Sequence, residues 1–193
     1  MAQNAITKYK MLAIGGSAGS LDALLKIVSA LPLNNYLSVV IIIHRKNDGE
    51  SILTNLLSFR TNLIVKEVED KEIIAGGSIY IAPADYHLLI ENETMFSLDS
   101  SEKVHHSRPS IDVSFESVAE IFGVFSIGIL LSGANADGAE GLKKIKQAGG
   151  FTIVQNPESA EVAYMPQQAL ELMSPDKILH ANEMSDCIIQ LLK

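Results

Sequence analysis

Short aliphatic runs alternate along the chain with longer segments in which apolar residues recur every three or four positions. The runs are typical of strands buried on both faces of a parallel sheet, because such strands need no polar alternation. They predict strands at 10–14, 37–43, 63–68, 78–82, 125–131, 151–154 and 177–179. The periodic segments predict helices at 20–31, 51–59, 113–122, 139–148, 166–173 and 184–192.

The order of these elements predicts the fold class. Strands that alternate with helices are joined by right-handed crossovers, which gives an α/β, doubly wound, mainly parallel sheet with helices on both faces. The apolar runs 87–90 and 94–98 flank Glu91-Asn92-Glu93 and predict a small antiparallel hairpin. No repeat or linker divides the 193 residues. We therefore expect an N-terminal tail at 1–10 and one domain at 11–193.

Composition narrows the classes of function. The net charge of −8 argues against a nucleic-acid partner, because nucleic-acid binding depends on Lys and Arg that neutralise phosphates. No signal peptide or apolar run of spanning length is visible, so we expect no membrane insertion. The single cysteine, Cys187, lies in an apolar run and is expected to be a core residue. These features together predict a cytoplasmic protein.

A glycine-rich turn follows the first strand, at the edge where parallel sheets bind ligands. Residues 15–19 read Gly-Gly-Ser-Ala-Gly and fit G-x-S-x-G, in which a nucleophilic serine occupies a tight strand-to-helix turn with small neighbours. The amide of Ala18 is then the expected oxyanion donor. This segment alone leaves three interpretations open: a nucleophile at Ser17, an anion-binding turn and a plain structural turn. A dinucleotide fingerprint is disfavoured, because positions that would need glycine hold Ser17 and Ser20.

Two further polar residues follow strands that end at the same edge. His44 follows the second strand, and adjacency of the first two strands would place it beside Ser17, as a general base requires. Asp137 follows the strand at 125–131. It either caps the next helix or orients the imidazole as the acid of a triad. Ser17, His44 and Asp137 are therefore the predicted catalytic residues, with no metal or organic cofactor.

Longer motifs are similar to the catalytic domain of the CheB family, the chemotaxis protein-glutamate methylesterases. The resemblance runs from about residue 11 to the C-terminus. Its segments are the serine turn at 15–20, His44, Ile-Ala-Pro-Ala-Asp-Tyr-His at 81–87, Arg-Pro-Ser-Ile-Asp at 108–112, Asp-Gly-Ala-Glu-Gly at 137–141 and Tyr-Met-Pro at 164–166. By position, it implies that Ser17 is the nucleophile, His44 the base and Asp137 the orienting acid.

The resemblance also implies a substrate and a partner. Family members hydrolyse γ-glutamyl methyl esters on the cytoplasmic helices of methyl-accepting chemotaxis receptors, and often deamidate receptor glutamines. Family proteins commonly carry an N-terminal receiver domain, which we expect to be separate or missing here. Several residues near the triad differ from the usual family residues: Ala18, Ser20, Arg45, Ala134, Asn135 and Tyr164. They motivate the alternative of a catalytically silent receptor-binding module with the same fold.

Other polar residues are assigned structural roles or left open. His87 is either structural or near the site, and His180 is expected to be structural. His105-His106 are expected to lie in a solvated loop, and Asp112 is expected to cap the helix at 113–122. Arg108 either anchors that helix or faces an acidic receptor surface.

Overall fold

The computed structural model describes residues 9–45 and 52–193. Its strands are β1 (Met11–Gly16), β2 (Ser38–Ile43), β3 (Ile64–Glu67), β4 (Ser78–Ile81), β5 (His87–Asn92), β6 (Met95–Asp99), β7 (Ser126–Leu130), β8 (Phe151–Gln155) and β9 (Lys177–Leu179). Seven of them form one sheet in the order β3-β4-β2-β1-β7-β8-β9, and every neighbouring pair is parallel. Strands β5 and β6 form a separate antiparallel pair.

Six α-helices surround the part of the sheet that the structure describes. They are α1 (Leu21–Ala30), α2 (Ile52–Ser58), α3 (Ile111–Phe122), α4 (Ala139–Gln147), α5 (Tyr164–Leu172) and α6 (Ala181–Leu191). Helices α1, α2 and α6 pack on one face, and α3, α4, α5 and the β5–β6 hairpin cover the other. Strand β1 shows why both faces are apolar: Met11 and Ala13 point into one cluster, and Leu12 and Ile14 into the other.

The predicted fold class is confirmed, and the differences lie at the ends of elements. Helix α3 begins at Ile111 rather than at 113, and α5 begins at Tyr164 rather than at 166. Pro166 is accommodated because a proline in the first helical turn displaces no intrahelical hydrogen bond. Phe125 ends a 3-10 turn before β7 instead of starting the strand. Residues 1–8 of the predicted tail, and residue 51 of the predicted second helix, lie outside the described residues.

The central position of β1 determines where the site forms. Strand β1 pairs with β2 on one side and with β7 on the other, so the residues after these three strands meet at one edge of the sheet. Within the described ranges, none of the helices has the length and apolar character needed to cross a membrane.

Candidate active site

Ser17 lies half-buried in a tight turn between β1 and α1. Its amide donates to the carbonyl of Ser132, at 2.9 Å. Its own carbonyl accepts from the amide of Ser20, at 3.1 Å, and from the Ser20 hydroxyl, at 2.7 Å. A side chain at Gly15 would lie only 2.4 Å from a methyl carbon of Ile111, so the close approach of α3 to the end of β1 requires glycine. The backbone of Ser17 is therefore fixed from both sides.

The predicted oxyanion donor, Ala18, is exposed at the start of this turn. Among the hydrogen bonds formed between described residues, none uses the Ala18 amide. Helix α1 begins three residues later, and the positive end of a helix dipole favours negative charge near its first turn. A free amide at this place has the chemistry that an oxyanion site needs.

His44 directly follows β2, on the strand next to β1. The register pairs Ile43 with Gly16, and the His44 amide donates to the Gly16 carbonyl at 3.3 Å. This pairing sets His44 alongside Ser17 at the strand ends. The ring is 12% exposed, and its Nε2 lies 2.7 Å from Oδ2 of Asp137.

Asp137 is fully buried and accepts four hydrogen bonds. Besides His44 Nε2, its donors are the Ser110 hydroxyl at 2.8 Å, the Ile111 amide at 2.7 Å and the Asp112 amide at 3.0 Å. Burial acts to raise the pKa of Asp137, but these hydrogen bonds outweigh it and hold the pKa below the usual value. The carboxylate is therefore ionised at neutral pH.

The charge on Asp137 determines which nitrogen of His44 carries the proton. An ionised carboxylate only accepts hydrogen bonds, so Nε2 must be the donor. In the neutral ring Nδ1 is then unprotonated, and it is the atom that can take up a proton. The hydroxyl that reaches this atom is that of Ser107, at 3.3 Å. Within residues 9–45 and 52–193, the Ser17 hydroxyl forms no hydrogen bond with His44.

The structure excludes one of the two alternatives for Asp137, that it caps the next helix, and corrects the expectation that Asp112 caps α3. Helix α4, which follows Asp137, is capped by Gly138, and Asp137 instead binds the amides at the start of α3. Asp112 does not cap α3, because the cap is Ser110, whose hydroxyl accepts from the Val113 amide. Since α3 starts two residues earlier than its apolar pattern suggested, Asp112 lies in its first turn.

The sequence did not reveal three of the side chains around His44 and Asp137. Ser110 could have been found, because a serine after a proline and before an apolar periodic segment is a typical helix cap. Ser107 and Asn135 carry no such signal. Asn135 accepts from the Asp137 amide at 3.2 Å and donates to the Ser107 hydroxyl at 3.2 Å.

Two of the other histidines, His87 and His180, hold backbone in place. His87 is buried: its Nε2 contacts the Glu102 carbonyl at 3.0 Å, and its Nδ1 accepts from the Ser110 amide at 3.1 Å. It is thus structural and adjacent to the site. His180 caps α6 in a capping box with Glu183.

The remaining residues singled out by the sequence have identifiable contacts. Arg108 donates to the carbonyls of Ser100 and Ser101, so it anchors the loop that precedes α3. His105 is exposed, and its Nε2 lies 3.3 Å from Asp112 Oδ2. Cys187 packs against the apolar cluster under α6, where burial raises the pKa of its thiol. In the described part of the chain, no group of three or more His, Cys, Asp or Glu side chains could hold a metal ion.

Comparison with known proteins agrees with this fold. The family model for CheB methylesterase matches residues 12–188. A Leptospira interrogans relative is 43% identical over 95% of both chains, and its name provisionally assigns protein-glutamate methylesterase and protein-glutamine glutaminase activity. A Thermotoga maritima protein-glutamate methylesterase/protein-glutamine glutaminase is 33% identical over 95% of this chain and 54% of its own length.

A solved structure gives the same result. The crystal structure of the Thermotoga maritima CheB methylesterase catalytic domain superposes with a TM-score of 0.89 at 33% identity, covering 95% of this chain and 98% of that one. The chain belongs to the CheB methylesterase family.

Proposed function

We propose that this chain is a serine-dependent protein-glutamate methylesterase. The observation that carries the proposal is the pairing of His44 with a buried, ionised Asp137 at the strand end next to Ser17. An acid that fixes the tautomer of a histidine beside a serine is the arrangement needed to activate a hydroxyl. Membership of the family supports the same chemistry.

In the proposed reaction, the Ser17 oxygen attacks the ester carbonyl carbon while its proton passes to Nδ1 of His44. The charge formed on the carbonyl oxygen is stabilised by the Ala18 amide. His44 then gives the proton to the departing methoxide, so that methanol leaves and an acyl-enzyme remains. Water attacks this ester in the same way, which restores Ser17 and releases a glutamate carboxylate. Asp137 remains ionised throughout and stabilises the charged imidazole.

The proposed substrates are γ-glutamyl methyl esters on the cytoplasmic helices of methyl-accepting chemotaxis receptors. The names of the relatives and the family support this choice. The same cycle would deamidate a glutamine, with ammonia as the leaving group in place of methanol. A receptor partner of this kind places the protein in the cytoplasm, which suits an acidic chain with a single cysteine.

Methanol release from methylated receptors tests the proposal. We expect release by the wild type and a loss on the order of 10⁶-fold in kcat for Ser17→Ala. Ser29→Ala is the matched control, because this serine on α1 is exposed and its hydroxyl donates to the Leu25 carbonyl of its own helix. Its activity should equal that of the wild type.

The outcomes separate the two functions considered. Equal methanol release by the wild type and by Ser17→Ala would eliminate Ser17 as the nucleophile. A wild type that binds receptor without releasing methanol or ammonia would instead favour the silent receptor-binding module. Ammonia release from unmethylated receptors that depends on Ser17 would establish deamidation.

A further inference from the structure

A tight turn brings Ser107 to the catalytic base. Residues Val104 and Ser107 pair across it, with the Ser107 amide donating to the Val104 carbonyl at 2.8 Å and the Val104 amide donating back at 3.2 Å. The two residues between them, His105 and His106, have φ values of 48° and 62°. Two-residue turns of this type favour Asn and Gly, so a pair of histidines is held there at a cost in backbone strain.

Contacts on several sides hold this turn against the site. Asn135 donates to the Ser107 hydroxyl, at 3.2 Å, and to the His105 carbonyl, at 3.4 Å. The contact between His105 Nε2 and Asp112 Oδ2, at 3.3 Å, joins the tip of the turn to α3. A cleft of about 290 Å³ lies beside His105 and is bounded by α4 and α5. The turn is therefore not closely packed against these helices at His105.

The hydrogen-bond pattern leaves the Ser107 proton free to point at His44. Because Asn135 donates to the Ser107 oxygen, that oxygen is an acceptor in this contact and its own hydrogen is available. Two acceptors lie within reach: Nδ1 of His44, at 3.3 Å, and the carbonyl of His105, at 3.4 Å. Nδ1 is unprotonated when His44 is neutral, so it can then accept the Ser107 hydrogen.

We propose that the Ser107 hydroxyl donates a hydrogen bond to Nδ1 of His44, the catalytic base, in the resting enzyme. This hydrogen bond must be released before Ser17 can be activated. An imidazole nitrogen has a single lone pair in the ring plane, so two hydroxyls cannot both donate to it well. Release breaks no covalent bond: the Ser107 hydroxyl rotates, so that its hydrogen turns from Nδ1 to the His105 carbonyl. Ser107 is thus a positioning residue that lowers the reactivity of Ser17. The inference rests on the proposed role of Ser17 as nucleophile.

Sulfonylation of Ser17 by phenylmethanesulfonyl fluoride measures this competition without receptor. The serine oxygen displaces fluoride, and His44 takes up the proton. A neutral hydrogen bond has a modest net strength, so the second-order rate constant should rise roughly two- to tenfold in Ser107→Ala. Ser107→Thr keeps the hydroxyl and should react like the wild type. Ser100→Ala removes an exposed hydroxyl from the same loop and should also leave the rate unchanged.

Nitrogen NMR provides a readout that does not depend on activity. With ¹⁵N-labelled histidine above neutral pH, the Nδ1 resonance of His44 should move downfield in Ser107→Ala, toward that of a bare imine nitrogen. It should not move in Ser107→Thr. The same spectra of Ser17→Ala should retain the wild-type position.

The two readouts distinguish failure of the inference from failure of the proposed function. If no protein is sulfonylated, methanol release decides whether Ser17 is the nucleophile, and the Nδ1 shift alone decides whether Ser107 binds His44. An unchanged Nδ1 resonance in Ser107→Ala overturns the inference. A sulfonylation rate that stays the same or falls in Ser107→Ala also overturns it, since a falling rate would mean that Ser107 orients the ring rather than competing for it.

Discussion

Replacing Asp112 by asparagine removes a second buried carboxyl group from beside Asp137, the proposed acid of the triad. Asp112 is 8% exposed, and its Oδ1 accepts from the Gly141 amide at 2.7 Å. Burial raises the pKa of Asp112 to about 6. The neighbouring charge of Asp137 acts in the same direction, whereas the hydrogen bond from Gly141 and the nearby His105 oppose the rise. Asparagine has the same shape and keeps an oxygen for Gly141, but it cannot ionise.

The sign of the effect on stability follows from the direction of this pKa shift. The folded-state pKa of Asp112 lies above that of an aspartate in an unfolded chain, so the folded protein binds the proton more tightly. The wild type therefore loses folding free energy as the pH rises from about 4 to above 6, and the loss persists at neutral pH. A rise from 3.8 to about 6 corresponds to a penalty of at most about 3 kcal/mol.

Urea denaturation between pH 4 and pH 8 measures the effect. We expect Asp112→Asn to match the wild type near pH 4 and to be up to about 3 kcal/mol more stable at pH 7.5, with a flatter dependence on pH. Asp186→Asn, at an exposed position on α6, is the charge-matched control and should follow the wild-type curve. Equal pH slopes for Asp112→Asn and the wild type, or a variant less stable at pH 7.5, would refute the reasoning.

Three further substitutions give sharp expectations. Asp137→Asn should lower kcat by about 10⁴-fold, because an amide donor facing Nε2 of His44 favours the wrong tautomer; methanol release measures it, and full activity would contradict the assigned tautomer. Gly19→Ala should cost about 1–3 kcal/mol, since φ is +75° and a Cβ would lie 2.5 Å from the Cβ of Glu161; a stability equal to wild type in urea would contradict this. Phe96→Ala should cost about 3–5 kcal/mol by the same measurement, because the fully buried ring joins the hairpin to the sheet; a loss below 1 kcal/mol would contradict that role.

The order of strands and helices could be predicted because burial of each element leaves a pattern of apolar residues within its own sequence. Strands covered on both faces are mainly aliphatic, as β1, β2 and β7 are, and the polar residue that ends such a run marks the edge of the sheet. Parallel pairing then brings those edge residues together without any further information. This is why the positions of His44 and Asp137 follow from the pattern of the chain.

The turn that carries Ser107 could not be predicted, because nothing local marks it. His105-His106 lack the glycine or asparagine that usually signals two positive φ values, and the turn is held by contacts to distant residues. The start of α3 was missed for a related reason: Ile111 and Asp112 begin the helix before its apolar period is established, and the carboxylate that binds their amides comes from Asp137.

The residues that differ from the usual family pattern are not the ones that fix the catalytic groups. Asp137 is held largely by main-chain amides of α3, and His44 by its register with Gly16; neither depends on the side chains at Ala18 or Ala134. Asn135 is the exception, because its amide group contacts both the Asp137 backbone and the Ser107 hydroxyl. It contacts the hydroxyl that lies near Nδ1 of His44, while Nε2 pairs with Asp137. The altered surroundings therefore reach the Nδ1 side of His44 only through Ser107 and leave the pairing of His44 with Asp137 in place.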